Sequence, residues 1–408
     1  MDATIGKFLT ILKAALEGKP AALTGETTVE EWRSLFRMAE THHVLPLVYG
    51  AVYRESSLPA DFAGLKGRVI RQVASQTMRT EEFLELYRKL QEKGINPVVV
   101  KGIICRNLYP QPDYRPSTDE DLLIPAQQYG DCHKILTACG MEPAPNADPQ
   151  DYEVPYRKKD GMLYIELHKQ LFPPQSEAYG DLNRFFSDVH ETAVAETISG
   201  STVYTLPPTE HLFYLICHAF KHFLHSGFGI RQVCDIVLYA NRYGRQVDWQ
   251  KVLENCRAIR GDKFAAAIFL IGKNYLVFDE EKAGYPAGWK AISVDEIPML
   301  EDLLAAGVYG GATMSRKHSS AITLEAVAAR KQGKKGRNAL LLSAFPPASK
   351  LEGRYSYLKK YPYLLPVAWC SRILTYSGEA RRSSDNRAVE ALKIGSERIE
   401  LLKTYDIL

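Results

Sequence analysis

The sequence predicts an α+β fold, with a small mixed sheet flanked by helices and lying between N-terminal and C-terminal helical regions. Short apolar runs rich in β-branched residues, typical of buried strands, occur near residues 96–100 and 119–125. Asp160-Gly161, between two alternating runs, is a strong β-hairpin signal. On both sides of this part, apolar residues recur at helical spacing. Hydrophobic residues make up 46% of the chain and charged residues 24%, which is ordinary for a globular protein and excludes bulk disorder.

Residues 1–93 are predicted to form the N-terminal helical region. Thr28 followed by Glu31 is typical of a capping box, in which each side chain accepts a hydrogen bond from the backbone of the other residue. A long helix near 63–93 should end at Lys93-Gly94, because glycine readily adopts the left-handed conformation that closes many helices.

Residues 94–207 are predicted to form the core domain. It begins with a buried strand at Asn96–Val100 and a short helix over 102–109. A second strand, DEDLLIP, is stopped by Pro125, and a helix follows near 126–139. The stretch EVPYRKKDGMLYIELHKQLF is then expected to fold as a hairpin.

The chain becomes helical again, and residues 208–285 are predicted to form a helical domain that closes the cleft. Residues 286–408 are a basic C-terminal region of uncertain structure. From Arg330 to Leu408 there are 16 lysines and arginines against 7 acidic residues, although the net charge of the chain is only +3. A basic end indicates an anionic partner such as nucleic acid or phospholipid, and a solvated basic surface is the other explanation. The apolar stretch 361–376 is expected either to rest on an anionic membrane surface or to form a buried helix.

Several classes of protein are disfavoured by what the sequence lacks. The seven cysteines are scattered and contain no C-x-x-C pair, which argues against a disulfide framework or a structural zinc site. No secretory signal or long apolar span is evident, so we expect a cytoplasmic protein. The P-loop, the dinucleotide-binding glycine fingerprint and the G-x-S-x-G motif of hydrolases are also missing.

An acidic run, Asp119-Glu120-Asp121, leads directly into the second strand. Because side chains alternate along a strand, Asp119 and Asp121 should share one face while Glu120 points away. Neighbouring carboxylates repel unless a cation lies between them, and Mg²⁺ prefers such oxygen ligands. Glu166, in the hairpin strand YIELH, would reach the same place if the two strands pair. Three such carboxylates can hold two metal ions for phosphoryl transfer. The alternative is a solvated strand start, since D-x-D alone is a weak motif.

Three stretches together carry a family resemblance: VVVKGIICRNLYP, YRPSTDEDLLIP and YIELHKQLF. They resemble the K-G…Y-P…R-x-x-x-D-x-D-L-L…[DE]-x-H signature of the uncharacterised nucleotidyltransferase-like family, within the polymerase-β-type nucleotidyltransferase superfamily. The stretch 208–240 is similar to the H…K-H…R-x-x-x-D-I segment of that family, and the resemblance covers roughly residues 28–280.

The resemblance implies that residues 94–207 are a nucleotidyltransferase core built on a small mixed sheet. It implies Asp119 and Asp121 as metal ligands and Glu166 as the third metal-binding carboxylate, which would activate the acceptor hydroxyl. The implied cofactor is Mg²⁺, as two ions during turnover, with Mn²⁺ as a possible substitute. The implied substrate is an NTP such as ATP.

Lys101-Gly102 stands where the superfamily usually has Gly-Ser. Lys101 would replace the missing hydroxyl against the triphosphate, and the Gly102 amide would approach a phosphate closely. The alternative is that Lys101 is simply an exposed strand end. Arg115, in the loop before the acidic run, and His168, in the E-x-H strand, are expected beside the nucleotide.

Two pairs of residues on the following helices are further candidates. His218 and His222 lie four residues apart, a spacing that suits metal ligands, core packing, or the lining of a nucleotide or acceptor cleft. No glutamate follows the first histidine as in H-E-x-x-H, which disfavours a zinc protease. Arg231 and Asp235 are also four apart. They would either pair with each other, or line the cleft with Arg231 facing phosphate and Asp235 orienting it.

The leading hypothesis is a Mg²⁺-dependent nucleotidyltransferase that moves an NMP from an NTP to an unidentified acceptor hydroxyl and releases pyrophosphate. The acceptor could be a protein side chain, a sugar, a small molecule or an RNA end. Two other classes stay open. One is a catalytically inactive nucleotide-binding or regulatory module, and the other is an interaction protein that binds an anionic partner through the basic C-terminal region.

Overall fold

A computed structural model describes residues 2–54, 58–59, 62–145, 147–306, 314–333, 355, 357–358, 361–371 and 388–408. Across these residues the protein has the predicted α+β architecture, a mixed sheet flanked by helices. The chain divides into two compact units. The first comprises Met1–Ala219 and Gly229–Glu296, and the second comprises Phe220–Phe228 and Ile297–Leu408. The four-segment division of the sequence stays a prediction.

The sheet has seven strands, and they lie in the order β3-β4-β5-β2-β1-β7-β6. In chain order they are β1 (Val98–Val99), β2 (Glu120–Leu123), β3 (Met141–Pro143), β4 (Glu153–Lys158), β5 (Tyr164–His168), β6 (Val194–Ile198) and β7 (Ser201–Thr205). The pairs β2–β5 and β1–β7 are parallel, and the other four pairs are antiparallel.

The described helices precede, interrupt and follow the sheet. They are α1 (Ala3–Leu16), α2 (Val29–Thr41), α3 (Leu45–Val52), α4 (Ala63–Glu92), α5 (Gly102–Arg106), α6 (Tyr129–Ala138), α7 (Val189–Thr192), α8 (Pro208–Leu224), α9 (Ile230–Tyr243), α10 (Trp249–Ala258), α11 (Asp262–Tyr275), α12 (Glu280–Ala283), α13 (Ala287–Lys290), α14 (Ile297–Ala306), α15 (Met314–Lys331) and α16 (Ala388–Thr404).

Both helix-end signals of the N-terminal region are confirmed. The Thr28 amide donates to Glu31 Oε2 at 2.8 Å, and the Glu31 amide donates to Thr28 Oγ1 at 3.2 Å, which forms the predicted capping box of α2. The long helix α4 ends at Glu92, and Gly94 follows with a left-handed φ of 75°. A side chain at this φ would be strained, so the glycine closes the helix as expected.

The apolar face of the sheet packs against α4 and α6. Leu122 of β2 and Ile165 and Leu167 of β5 are buried in one cluster with Tyr87 of α4 and Leu136 of α6. Burying one such side chain contributes about 1.5–3 kcal/mol. Because strand side chains alternate, the residues between these apolar positions must point to the opposite face. That face carries Asp121 of β2 and Glu166 of β5.

The predicted hairpin is confirmed as β4 and β5, which pair antiparallel from Glu153↔His168 to Arg157↔Tyr164. A second hairpin, β6–β7, was not predicted. Its two-residue turn consists of Ser199 and Gly200, both with positive φ, of 49° and 76°. Strand β7 lies parallel to β1, so this second hairpin extends the sheet on the side away from β5.

The second unit has its own ion-pair network, in which Arg398 is buried and Asp302 and Arg316 are half-buried. Asp302 of α14 accepts hydrogen bonds from Arg398 Nη1 at 2.7 and 2.9 Å and from Arg316 Nη2 at 2.5 Å. Within 361–371, Tyr363 is 73% exposed whereas Ala368 is buried. The rest of the apolar stretch, and much of the basic tail, lie outside the described residues, so their contact with a membrane or an anionic partner stays a prediction.

All seven cysteines fall within the described residues, and each is a free thiol. In the described part of the chain, none of the helices combines the length and the apolar character needed to cross a bilayer.

Candidate active site

Two parallel strands bring the predicted acidic residues together. Strand β2 pairs with β5 so that Asp121 lies directly opposite Glu166, and Leu123 opposite His168. One ligand atom from each of Asp121, Glu166 and His168 lies within 4.8 Å of the others. Asp121 and His168 are buried, and Glu166 is half-buried. The conditional prediction that the two strands pair is therefore correct, and the register places both carboxylates at one point.

Lys101, the residue after Val100 at the end of the first strand, points its ammonium group into this cluster. Its Nζ lies 2.9 Å from Asp121 Oδ2. Burial alone would lower the pKa of Lys101, but the charges of Asp121 and Asp119 hold it well above its usual range. Burial would likewise raise the pKa of Asp121, but Lys101 and His168 hold it well below its usual range. Lys101, whose side chain is 15% exposed, is thus a largely buried cation and not an exposed strand end.

His168 bridges the carboxylates of the cluster. Its Nε2 donates to Asp121 Oδ1 at 3.2 Å and lies 3.6 Å from Glu166 Oε2. On its other side, Nδ1 lies 3.7 Å from Glu153 Oε2. Burial opposes protonation, yet hydrogen bonds to Asp121 and Glu166 raise the pKa of His168 to about 9. Glu153, on β4, is a further acidic residue at the site that the sequence analysis missed.

Glu166 and Asp119 complete the negative charge of this face. Burial is the main cause of the raised pKa of Glu166, and the charges of Asp121, Glu153 and Asp119 add to it. Asp119 is half-buried and lies one residue before β2, where its carboxylate accepts a hydrogen bond from Thr118 Oγ1 at 3.2 Å. The ligand atoms that lie within 4.8 Å of one another belong to Asp121, Glu166 and His168, and the role of Asp119 as a metal ligand stays a prediction.

Glu120, the middle residue of the acidic run, turns away from the cluster as predicted and has a structural role. Its Oε1 accepts from Arg106 Nη1 at 2.5 Å, and its Oε2 accepts from the Ile103 amide at 2.8 Å. Both charged side chains are almost fully buried. Gly102 has a left-handed φ of 44°, and a Cβ there would lie 1.9 Å from Glu120 Oε2. Packing against Glu120 therefore requires glycine at this position, whether or not its amide also approaches a phosphate.

Arg115 and Asp235 bind each other, which differs from the pairing that the sequence suggests. Arg115 Nε and Nη2 donate to the two oxygens of Asp235 at 2.7 and 2.6 Å, and Tyr109 OH donates to Oδ1 at 2.8 Å. Arg231, four residues before Asp235, instead donates to the Pro116 carbonyl at 2.5 Å. Of the two alternatives for Arg231 and Asp235, pairing with each other is not observed, because Arg115 satisfies both oxygens of Asp235 with bidentate geometry. Direct contact of these three residues with nucleotide stays a prediction.

His218 supports Lys101 from α8. Its Nε2 lies 3.3 Å from Lys101 Nζ, and its Nδ1 lies 3.2 Å from the side-chain amide of Gln232 on α9. His218 thus fixes the direction of the ammonium group, and Gln232 is a second residue that the sequence analysis did not identify. His222, one turn further along α8, falls within Phe220–Phe228 of the second unit and is half-buried. Its predicted place beside the nucleotide stays a prediction.

A family model described as uncharacterised nucleotidyltransferase matches residues 28–276, which is more than half of the chain. The chain belongs to this family. Neither a curated protein nor a solved structure matches it. Membership of the nucleotidyltransferase family supports the transfer of a nucleoside monophosphate group, and the acidic cluster lies within the matched residues.

The side chains of the acidic cluster are of the kinds that bind a metal ion. Asp121 and Glu166 offer carboxylate oxygens, the ligands that Mg²⁺ prefers, and His168 offers an imidazole nitrogen. The surroundings also compensate the charge without a metal ion, because Lys101 and protonated His168 lie against Asp121. A divalent ion at this place would have to displace part of that compensation, and it would in turn attract the phosphates of a nucleotide.

Proposed function

We propose that the protein is a Mg²⁺-dependent nucleotidyltransferase that moves an NMP group from an NTP to an acceptor hydroxyl and releases pyrophosphate. The observation that carries the proposal is the in-register pairing of Asp121 with Glu166, inside a chain that belongs to a nucleotidyltransferase family. Two carboxylates fixed on adjacent buried strands need little further ordering before they bind a cation. Phosphoryl transfer depends mainly on such preorganised positioning and charge stabilisation.

In this proposal Asp121, Glu166 and Asp119 hold Mg²⁺, and Mn²⁺ can replace it. The bound ion would neutralise charge on the phosphates and orient them. The acceptor oxygen attacks the α-phosphorus, forming one P–O bond while the bond to the bridging oxygen of the β-phosphate breaks. Glu166, as the third carboxylate, would take the proton of the acceptor hydroxyl.

The remaining residues position these groups. His168 holds the Asp121 carboxylate through Nε2 and lies against Glu166. Lys101, held by His218, would move from Asp121 to the triphosphate when the metal ion arrives, because it then gains a stronger anionic partner. Gly102 and Arg231 are proposed beside the phosphates, and His222 beside the nucleotide. Arg115 and Asp235 act by fixing the loop that leads into β2.

The experiment that tests the proposal is calorimetric titration of a non-hydrolysable Mg-NTP into the wild-type protein, together with measurement of pyrophosphate release over a panel of acceptors. Asp121→Asn and Asp119→Ala should abolish both signals and leave the circular dichroism spectrum unchanged. Asp131→Asn, an exposed aspartate on α6, is the matched control and should behave as wild type. Absence of Mg-NTP binding to the wild-type protein would end the proposal.

A second candidate, a catalytically inactive nucleotide-binding module, is favoured by two observations. Lys101 lies against Asp121 in the place of a metal ion, and the chain lacks the Gly-Ser pair usual in the superfamily. Such a module would bind Mg-NTP and release no pyrophosphate with any acceptor. Single-turnover measurement with saturating nucleotide separates the two functions, because an enzyme releases pyrophosphate in an amount that rises with the protein added.

The cellular location and the partners of the protein are also proposals. We propose a cytoplasmic protein whose acceptor is a protein, sugar, small molecule or RNA. The basic C-terminal region would contact an anionic partner or a membrane surface, since from Arg330 to Leu408 its positive charges outnumber the negative ones by 16 to 7. Binding through this region should weaken steeply as the salt concentration rises.

A further inference from the structure

A cationic cavity lies beside the acidic cluster, between helix α4 and the loop at residues 116–118. Its volume is about 340 Å³. Arg68, Arg71 and Arg79 of α4 and His43 line it, and none of its described lining residues is acidic. A cavity with several cations and without a carboxylate has a positive potential that attracts anions.

The sequence produces this cationic wall by helical spacing. The lining positions of α4 recur every three or four residues, and they therefore form one face of the helix. They are residues 68, 71, 72, 75, 76 and 79. This face is polar although α4 packs against the sheet further along, at Phe83, Tyr87 and Leu90. The first half of α4 does not pack against the sheet, so arginines can occupy this face of the helix.

The positive charge of this wall is only partly neutralised. Arg68 pairs with Glu40, and Arg79 Nη1 donates to the Ser117 carbonyl at 2.5 Å. Arg71 has no acidic partner among the described residues. Hydrogen-bond donors also exceed acceptors, because Gln76 Nε2 and Arg79 Nε are buried without a partner within the described part of the chain. A buried donor without a partner is costly, and an oxyanion nearby offsets that cost electrostatically.

The loop on the other side of the cavity leads into the acidic cluster. The Ser117 amide donates to Gln76 Oε1 at 2.8 Å, and Ser117 Oγ donates to the Asp119 carbonyl at 2.9 Å. Thr118, which lines the cavity, is three residues before Asp121. Since consecutive Cα atoms are about 3.8 Å apart, the Cα atoms of Thr118 and Asp121 are at most about 11 Å apart. A ligand of small-molecule size can reach from one place to the other.

A neighbouring cavity extends the cationic surface along α2 and α4. It has a volume of about 530 Å³ and shares Arg68 and Arg71 with the first cavity. Arg33 and Arg37 of α2 contribute further positive charge, partly balanced by Glu40. Cavities of several hundred Å³ are large enough for a small-molecule substrate and more than an isolated phosphate ion needs.

We propose that the cavity lined by Arg68, Arg71 and Arg79 binds a phosphate group of the acceptor. The inference rests on the proposed nucleotidyl transfer and narrows its substrate to small phosphorylated molecules that also carry a free hydroxyl. The triphosphate of the nucleotide would lie against the metal ligands and Lys101, so the charge of this separate cavity serves the second substrate. Arginine suits such a group because its planar guanidinium donates two parallel hydrogen bonds to phosphate oxygens.

The first arm of the test is calorimetric titration of inorganic phosphate into the full-length protein without nucleotide or Mg²⁺. We expect saturable binding that Arg71→Ala weakens by about tenfold, which corresponds to about 1.4 kcal/mol. Arg71 is exposed, so its replacement should leave the fold intact. Arg88→Ala is the matched control, because Arg88 is an exposed arginine on the same helix that does not line the cavity.

The second arm separates the two possible sources of phosphate. If the acceptor supplies it, inorganic phosphate binds equally well with and without a saturating non-hydrolysable Mg-NTP, and Arg71→Ala leaves Mg-NTP affinity unchanged. Displacement of phosphate by Mg-NTP would assign the cavity to the nucleotide and overturn the inference. So would absence of saturable phosphate binding, or equal weakening by Arg88→Ala. Asp121→Asn should keep phosphate binding, so failure of the proposed enzymatic function is distinguishable from failure of this site.

Discussion

Replacement of Gly102 by alanine should destabilise the protein through Glu120, behind the acidic cluster. An alanine Cβ would lie 1.9 Å from Glu120 Oε2 and 2.7 Å from its Cδ. The carboxylate must move away, and its hydrogen bonds to the Ile103 amide and Arg106, now 2.8 and 2.5 Å long, are then weakened or broken. Losing a hydrogen bond to a charged group costs about 1.5–3 kcal/mol.

The backbone adds a second cost. Gly102 has a φ of 44°, in the left-handed region where a residue with a Cβ is disfavoured by about 1–2 kcal/mol. Together the two effects give a loss of about 3–5 kcal/mol in the free energy of unfolding for Gly102→Ala. Gly94→Ala is the matched control, because Gly94 has a φ of 75° with nothing within 4 Å of its Cβ position. That variant should lose only the backbone part.

The measurement is urea denaturation of both variants, with hydrogen exchange at the Ile103 amide as a local probe of the Glu120 contact. A Gly102→Ala protein that is no less stable than Gly94→Ala would refute the reasoning from packing. If such a stable variant nevertheless lost Mg-NTP binding, close approach of the Gly102 amide to a phosphate would be the reason for glycine at this position.

Three further predictions concern other buried groups. Asp235→Ala should lower the free energy of unfolding by about 3–5 kcal/mol in chemical denaturation, because it leaves Arg115 charged and unpaired in the interior. Replacing both Asp235 and Arg115 by apolar residues should restore most of the lost stability. A double variant that is no more stable than Asp235→Ala would contradict this account. His211 is buried, and burial lowers its pKa to about 3. Below pH ~6.5 the imidazole therefore binds a proton in the unfolded protein but not in the folded protein. The free energy of unfolding should fall by about 2 kcal/mol between neutral pH and pH 5. The stability of His211→Gln should fall less steeply over that pH range, and an unchanged pH dependence would show that His211 is not the group responsible. Glu153→Gln should weaken Mg²⁺ binding in calorimetry by about tenfold, whereas Glu166→Gln abolishes it; equal losses would make Glu153 a direct ligand.

Alternation along strands accounts for what the sequence reveals about the acidic cluster. Glu120 and Asp121 must point to opposite faces, and the apolar neighbours of Glu166 show which face of β5 is buried against helices. Glu153 was also within reach of this reasoning. Counting outward from the predicted Asp160-Gly161 turn pairs Glu153 with His168, which is the register observed. The same holds for the β6–β7 hairpin, whose Ser199-Gly200 turn lies between two alternating runs.

Contacts between distant segments were not accessible from the sequence pattern. Helical spacing offered Arg231 as the partner of Asp235, but Arg115, from a loop 120 residues away in the chain, binds both of its oxygens. Helical periodicity predicts contacts only between residues of the same helix. A buried carboxylate instead pairs with the cation that the tertiary fold brings to it in good geometry. The position of Lys101 against Asp121 has the same origin, because it depends on how β1 and β2 are joined in the sheet.

The ammonium group of Lys101 has a consequence for the biogenesis of the protein. Because an internal cation already lies against Asp121, the strands can assemble around their carboxylates in surroundings poor in divalent ions. We therefore expect newly made chains to reach the native state without a metal ion, and chelators should leave their melting temperature nearly unchanged. In the proposed function, metal binding would then exchange one positive charge beside Asp121 for another.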